Sequence, residues 1–159
     1  MMTHLTSKVL ELLSGKTLAT AESCTGGMIG GMITAVPGSS VVYKGGIISY
    51  TNEIKHALLG VDDTLLETAG AVSAPVARAM AEGARRVLGA DIAVSVTGLA
   101  GPGGDDYGNP VGTVYIGYAD EKGAQAVCFH FDGDRETVRT QAAEEAIKLI
   151  INKNKNTPC

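Results

Sequence analysis

Thr20-Ala21-Glu22-Ser23-Cys24-Thr25-Gly26-Gly27 decides the reading of this chain, because an apolar run stops there and a run of small, helix-compatible residues begins. Upstream, Thr17-Leu18-Ala19-Thr20-Ala21 is short and apolar enough for a buried strand, and downstream 28–36 has the apolar content of a packed helix. A strand-to-helix junction aims several unpaired backbone N–H groups into one small volume, and glycine lets a ligand approach the main chain without a side-chain clash. Such a place suits an anion or an oxyanion. The same octet also suits a plain helix start, with Ser23 or Thr25 as N-cap and Gly26-Gly27 for close packing.

Working outward, Leu5, Val9, Leu10, Leu12 and Leu13 make one helical stripe, with Thr3 or Thr6 as cap and Gly15 as stop. On the other side, Val36-Pro37-Gly38-Ser39-Ser40 is a turn. The β-branched and aromatic run 41–50 predicts a strand broken or bulged at Gly45-Gly46. Thr51 or Asn52 then caps a short helix ending at Gly60, which sets Lys55 near its first turn, close to Tyr50. Asp62-Asp63-Thr64 opens another short helix closed near Gly70, and Ser73-Ala74-Pro75 starts a longer one to residue 88, with Arg78, Arg85 and Arg86 facing solvent. The run 91–98 is the clearest buried strand, followed by a glycine-rich loop over 99–106 and a mobile segment, 104–109, that ends at Pro110. Strands 111–118 and 125–131 pair as a hairpin across Asp120-Glu121-Lys122-Gly123. Asp134 caps a last helix over 135–151, and the tail 152–159 is polar and frayed.

This alternation predicts a three-layer α/β/α sandwich with a mixed sheet, in a single domain over 1–159. Ligands of open α/β sheets collect outside the carboxyl ends of the strands, where all three strand-to-helix or strand-to-loop junctions fall. Within 159 residues no apolar run approaches the roughly 20 needed to cross a bilayer, and the first residues lack the apolar segment of a secretory signal. The expectation is a cytoplasmic protein without membrane contact. Cys24, Cys128 and Cys159 are an odd number without zinc-type spacing, so neither a disulfide frame nor a metal site is expected. A net charge of −4 and an aromatic content of 4% argue against nucleic acid and for a small-molecule partner. The alanine-rich helices are compatible with a homodimer.

The three junctions bring Ser23, Thr25 and Gly26-Gly27 together with Tyr50 and Lys55, and with the stretch from Thr97-Gly98 to Gly103-Gly104. A serine needs a base. Of His4, His56 and His130 only His56 lies near a junction, on a different helical face from Lys55, so a Ser-His-Asp triad is poorly supported. A desolvated lysine is the better base, since burial lowers its pKa toward neutrality, while Glu22 or Glu53 beside it would raise that pKa instead. Tyr50 could relay a proton or orient Lys55, and N–H groups after Ser23 could hold a tetrahedral oxyanion. Solvated surface positions for Lys55 and Arg135, and a core position for Tyr50, are the alternatives. The stretch Thr97-Gly98-Leu99-Ala100-Gly101-Pro102-Gly103-Gly104 is neither a Walker A loop nor GxGxxG, yet it offers backbone donors, and Arg135 could clamp a phosphate. Cys24 is a rival nucleophile without a paired histidine.

Ala21-Glu22-Ser23-Cys24-Thr25-Gly26-Gly27, Pro37-Gly38-Ser39-Ser40, the stretch from Gly46 to Lys55, Gly70-Ala71-Val72-Ser73, Thr97-Gly98-Leu99-Ala100-Gly101-Pro102 and Pro110-Val111-Gly112-Thr113-Val114 together resemble the CinA C-terminal domain family. The match spans nearly the whole chain. Its members include nicotinamide-nucleotide amidases, which turn nicotinamide mononucleotide into nicotinic acid mononucleotide and ammonia. In competence- and damage-inducible members the domain is fused to an N-terminal domain absent from these residues. The resemblance implies a metal-independent, cofactor-free serine amidohydrolase with Ser23 as nucleophile, Lys55 as base and Tyr50 assisting. It further implies Cys24, Thr25, Gly26 and Gly27 around the oxyanion, with Thr97, Gly98, Gly101 and Arg135 on ribose or phosphate of a pyridine mononucleotide. A non-catalytic pyridine-nucleotide-binding or regulatory module linked to competence or DNA damage is the competing expectation.

Overall fold

The computed structural model describes residues 2–155. In chain order the elements are α1 (Met2–Leu12), β1 (Leu18–Glu22), α2 (Met28–Thr34), β2 (Tyr43–Ile48), α3 (Asn52–Leu59), α4 (Asp63–Ala69), α5 (Ala74–Leu88), β3 (Ile92–Gly98), β4 (Thr113–Asp120), β5 (Gly123–His130) and α6 (Arg135–Asn154). One mixed sheet runs β2-β1-β3-β4-β5. β1 is parallel to both β2 and β3, while β4 pairs antiparallel to β3, and β5 antiparallel to β4. Both faces of the central strands are covered, which is why β1 and β3 read as apolar runs rather than as alternating ones.

Two apolar clusters flank the sheet. One joins α1, α2 and α6 through Val9, Leu13, Ile29, Ile33, Ile147 and Ile150, and the other joins α3, α4 and α5 through Leu59, Leu66, Val76 and Met80. The three-layer α/β/α arrangement with a mixed sheet is thus the observed fold. Two glycines set its closeness. A Cβ on Gly83 of α5 would run into the backbone carbonyl of Leu59, and one on Gly117 of β4 into that of Ala77, so each contact needs the smallest residue.

Several local expectations are corrected. α1 already starts at Met2, so Thr3 and Thr6 lie inside it, and the Thr6 hydroxyl donates back to the Met2 carbonyl instead of capping. α2 ends at Thr34 rather than at residue 36. Ser39–Val41 forms a 3-10 turn, and β2 begins at Tyr43 with the register break opposite Leu18/Ala19, next to Gly45. Arg86 is exposed as expected, though one Nη donates to the Leu59 carbonyl, whereas Arg85 is half-buried and donates from Nε to the Asp91 carbonyl. The hairpin strands start and end about two residues away from expectation, because Gly112 at φ 93 is held in the preceding loop by donating to Leu99. Segment 104–109 is fastened rather than free. Asp105 accepts from the backbone of Tyr107 and Asn109 and from Asn109 Nδ2, and the Tyr107 hydroxyl donates to the Glu67 carbonyl of α4 at 2.8 Å. Asn152 to Asn154 continue α6, whereas the rest of the expected tail, with Cys159, falls largely outside the described residues. Among the described residues no helix is long and apolar enough to cross a membrane.

Candidate active site

β1 delivers Ser23 to the rim of the sheet. The Ser23 amide still donates to Val96 of β3 at 3.0 Å, after which the chain turns, Gly26 donating to the Ser23 carbonyl. Gly26 and Gly27 carry φ values of 59 and 105, left-handed backbone that lets the turn run straight into α2. The N-terminus of α2 is already filled. Glu22, 2% exposed, curls its carboxylate onto it and accepts from Ile29 N at 2.9 Å, Gly30 N at 3.0 Å and Thr25 Oγ1 at 2.7 Å. The helix end that suits an anion therefore holds the chain's own carboxylate, where the positive end of the helix favours it.

Lys55 arrives from α3. Thr51 caps that helix by accepting from Ile54 N, and the first turn swings Lys55 inward until it is 1% exposed, the bulkiest fully buried side chain of the described residues. Its Nζ lies 2.9 Å from Ser23 Oγ, 2.9 Å from the Ser49 carbonyl and 3.0 Å from the Tyr50 carbonyl. The two carbonyls only accept, so they hold two N–H bonds in either protonation state. In the neutral amine the lone pair must then face Ser23 Oγ. Burial lowers the Lys55 pKa from 10.5 to about 8, partly opposed by the neighbouring Cys24. Glu22 spends its charge on α2, and Glu53 is exposed on α3.

Tyr50 enters this centre through its backbone. Its carbonyl receives Lys55 Nζ and, at 3.4 Å, the Ser23 hydroxyl, while its own hydroxyl accepts from an Nη of Arg135 at 3.1 Å, away from the amine. Arg135, in the first turn of α6, also donates to the Gly101 carbonyl at 2.7 Å. A cleft of about 640 Å³ opens over the dyad, lined by Ser23, Cys24, Tyr50, Lys55 and Arg135 and walled by the loop after β3.

Of the expected site residues, Thr97, Gly98 and Gly101 also border the cleft. The Thr97 hydroxyl donates to the Ala71 carbonyl, leaving its oxygen only as an acceptor. Thr25, Gly26 and Gly27 do not border it. Thr25 is fully buried with its hydroxyl on Glu22, and the two glycines shape the turn behind Ser23. The Cys24 thiol packs into the apolar cluster beneath α6, and burial pushes its pKa up to about 11, so no thiolate rivals Ser23 near neutral pH. None of the histidines borders the cleft, and His56 is bonded to the Val61 carbonyl.

Sequence reasoning missed four contributors. The Ser49 carbonyl on Lys55 leaves no side-chain signature. Tyr107 and Asp105 belong to a segment expected to be mobile, yet they form the cleft wall. Arg139 on α6 reaches the loop after Ser23, donating from Nε to the Cys24 carbonyl at 2.9 Å and from an Nη to the Thr25 carbonyl at 3.3 Å. Its spacing of four from Arg135, one helical turn apart, was the available clue.

Comparison with known proteins agrees with this architecture. The family model of the CinA C-terminal domain matches residues 2–153. The CinA-like protein of Geobacter metallireducens is 52% identical over 137 residues, covering 86% of this chain and 33% of its own length. That of Geobacter sp. strain M21 is 55% identical over 148 residues, covering 91% of this chain and 36% of its own length. The chain thus spans about a third of the length of these relatives. Among solved structures, the competence-damaged protein (CinA) superfamily protein from Klebsiella pneumoniae superposes with a TM-score of 0.93 at 33% identity, over 96% of this chain and 97% of that one. The competence/damage inducible protein CihA from Agrobacterium tumefaciens gives 0.90 at 36% identity, over 97% and 96%. With its sequence matched almost end to end and its fold shared at that level, this chain belongs to the CinA C-terminal domain family.

Proposed function

We propose that this chain is a serine amidohydrolase that converts nicotinamide mononucleotide to nicotinic acid mononucleotide and ammonia, with Ser23 as nucleophile and Lys55 as its base. The observation that carries the reading is the 2.9 Å approach of a buried lysine amine to Ser23 Oγ at the floor of a cleft. Neutral Lys55 takes the Ser23 proton as Oγ bonds to the carboxamide carbon, and the carbonyl electron pair moves onto oxygen. The amides of Ser23, Gly26, Met28, Ile29 and Gly30 are engaged within the chain and Thr25 and Gly27 do not border the cleft, so that of Cys24 is the candidate to receive this oxyanion. When the carbonyl re-forms, the C–N bond breaks and the amine leaves as ammonia with the proton from Lys55. Water, deprotonated by the same lysine, then attacks the acyl ester, and Ser23 departs with its proton restored.

The substrate assignment draws on the family's nicotinamide-nucleotide amidases and on the chemistry of the rim. Arg135 spends two N–H groups on Gly101 and Tyr50, which leaves three of its five for a phosphate. Thr97, Gly98 and Gly101 supply acceptors and open backbone to the ribose side of the same cleft. Its volume of about 640 Å³ lies within the range usual for small-molecule sites.

The test is ammonia release from nicotinamide mononucleotide by purified protein, beside Ser23→Ala and Lys55→Ala. Both variants are expected to lose at least about a hundredfold in rate, the low end for removing a nucleophile or general base, while Ser23→Ala still binds the nucleotide. Undiminished turnover by Ser23→Ala sinks the mechanism. Binding without turnover by the unaltered protein would point to a nucleotide-binding module.

A further inference from the structure

Tyr107 borders the cleft, and the mechanism above makes no use of it. Three contacts fix it in place. Its hydroxyl donates to the Glu67 carbonyl of α4 at 2.8 Å, its amide donates to Asp105 Oδ1 at 3.1 Å, and its ring lies on Gly70. A Cβ added to Gly70 would stand 2.8, 2.9 and 3.0 Å from Cδ2, Cγ and Cε2 of that ring. Three consecutive ring carbons at nearly one distance put Gly70 under the face of the ring, since an approach along the edge would leave the outer two clearly farther than the middle one. A side chain at position 70 would push the ring away, and the φ of 80 there also favours glycine. Tyr107 is nonetheless 49% exposed, so the surface it turns to the cleft is the face opposite Gly70.

Two short steps link this face to the nucleophile. Glu22 of β1 pairs with Val96 of β3, so Ser23 and Thr97 lie side by side at the next position, about 5 Å apart. The Thr97 hydroxyl donates to the Ala71 carbonyl at 2.8 Å, and Gly70, the residue before, carries the ring. Charge is divided over the same cleft. Arg135 is held against Tyr50 and Gly101, whereas the carboxylates of Asp105 and Asp106 flank Tyr107 in sequence and border the cleft with it. Nicotinamide mononucleotide carries the matching pair, an anionic phosphate and a flat pyridinium ring with a formal positive charge on its nitrogen. The negative face of an aromatic side chain attracts such a cation. We infer that Tyr107 is a specificity-determining residue of this site: its open face, backed by Gly70 and anchored on Glu67, stacks on an N-substituted pyridinium ring and selects it over an uncharged ring of the same shape. The ligand class rests on the proposed nucleotide substrate, while the clamped ring and its open face stand on the geometry alone.

The experiment measures binding by calorimetry in the Ser23→Ala protein, which removes turnover. It compares nicotinamide mononucleotide with its 1,4-dihydro form, which keeps carboxamide, ribose and phosphate but has an uncharged ring. Adding Tyr107→Leu is expected to weaken the pyridinium nucleotide by about tenfold and the dihydro form by less than about threefold. Adding Tyr107→Phe, which keeps the face and loses only the hydroxyl, should change either by less than about threefold. Equal weakening of both forms by Tyr107→Leu, or no weakening of either, overturns the proposal. A second readout uses Tyr107→Trp, which gives the chain its only tryptophan. Nicotinic acid mononucleotide, also a pyridinium, is expected to quench its fluorescence on binding; calorimetric binding without quenching refutes the contact. Ammonia release by the unaltered protein reports separately on the amidase reading: selective binding through Tyr107 without release sinks the amidase and upholds the ring contact. Binding of neither nucleotide form overturns both.

Discussion

Raising the pH should switch this site on through a single group. Lys55 is 1% exposed, and burial brings its pKa from 10.5 to about 8, a change worth about 3 kcal/mol. At pH 7 an amine titrating at about 8 is neutral in about one molecule in eleven, against about one in 3,000 at 10.5, so burial raises the available base about 300-fold. Because kcat/KM reports the free enzyme, its logarithm for ammonia release from nicotinamide mononucleotide should climb with unit slope and level off above about pH 8. Measurements should begin above about pH 6.5, clear of the second ionisation of the substrate phosphate near 6. Lys55→Arg, whose guanidinium stays protonated, should fall by at least about a hundredfold and lose the limb altogether. A limb centred near the ordinary lysine value, or one that survives in Lys55→Arg, would refute the assignment of this amine as the base.

Three further outcomes follow from the geometry. Arg135→Ala should raise KM for nicotinamide mononucleotide by about tenfold or more while leaving the riboside, which has no phosphate, little changed, as steady-state kinetics on the pair will show. A folded-state pKa below the unfolded one means that the unfolded chain binds more protons between about 8 and 10.5, so stability rises with pH in that window. Urea unfolding should accordingly show the unaltered protein gaining about 2 kcal/mol relative to Lys55→Met between pH 7 and 9.5; no relative gain would mean that Lys55 titrates normally. Gly83→Ala should cost about 2 kcal/mol in the same assay, because the new methyl meets the Leu59 carbonyl, a backbone atom that also holds Arg86.

What could be read in the sequence follows from the range of each interaction. Strand and helix types were legible because β1 and β3 are covered on both faces and because Thr51, Asp62 and Asp134 cap their helices from the sequence position itself. Ser23 and Lys55 could be paired as residues of neighbouring junctions, but the depth of Lys55 could not, since the amphipathic pattern of α3 marks it as polar. Thr3 and Thr6 misled because a hydroxyl inside a helix can bond its own backbone, and nothing local separates that use from a cap. Glu22 was weighed as a charge near Lys55, whereas it turns to α2, a choice made by three-dimensional donors. Arg139 and the Ser49 carbonyl stayed hidden for a related reason: contacts to main-chain oxygen leave no trace in residue identity.

The Glu22 carboxylate on α2 bears on how the proposed turnover would end. Amide hydrolysis starts from a neutral group and finishes with a carboxylate at the place where ammonia left. A vacant helix N-terminus beside Ser23 would attract that new negative charge and slow its departure. Here the position is taken by a side chain that stays for every cycle, 2% exposed and fastened by three donors. With that helix end occupied, the carboxylate product of the proposed hydrolysis would find no trap on α2.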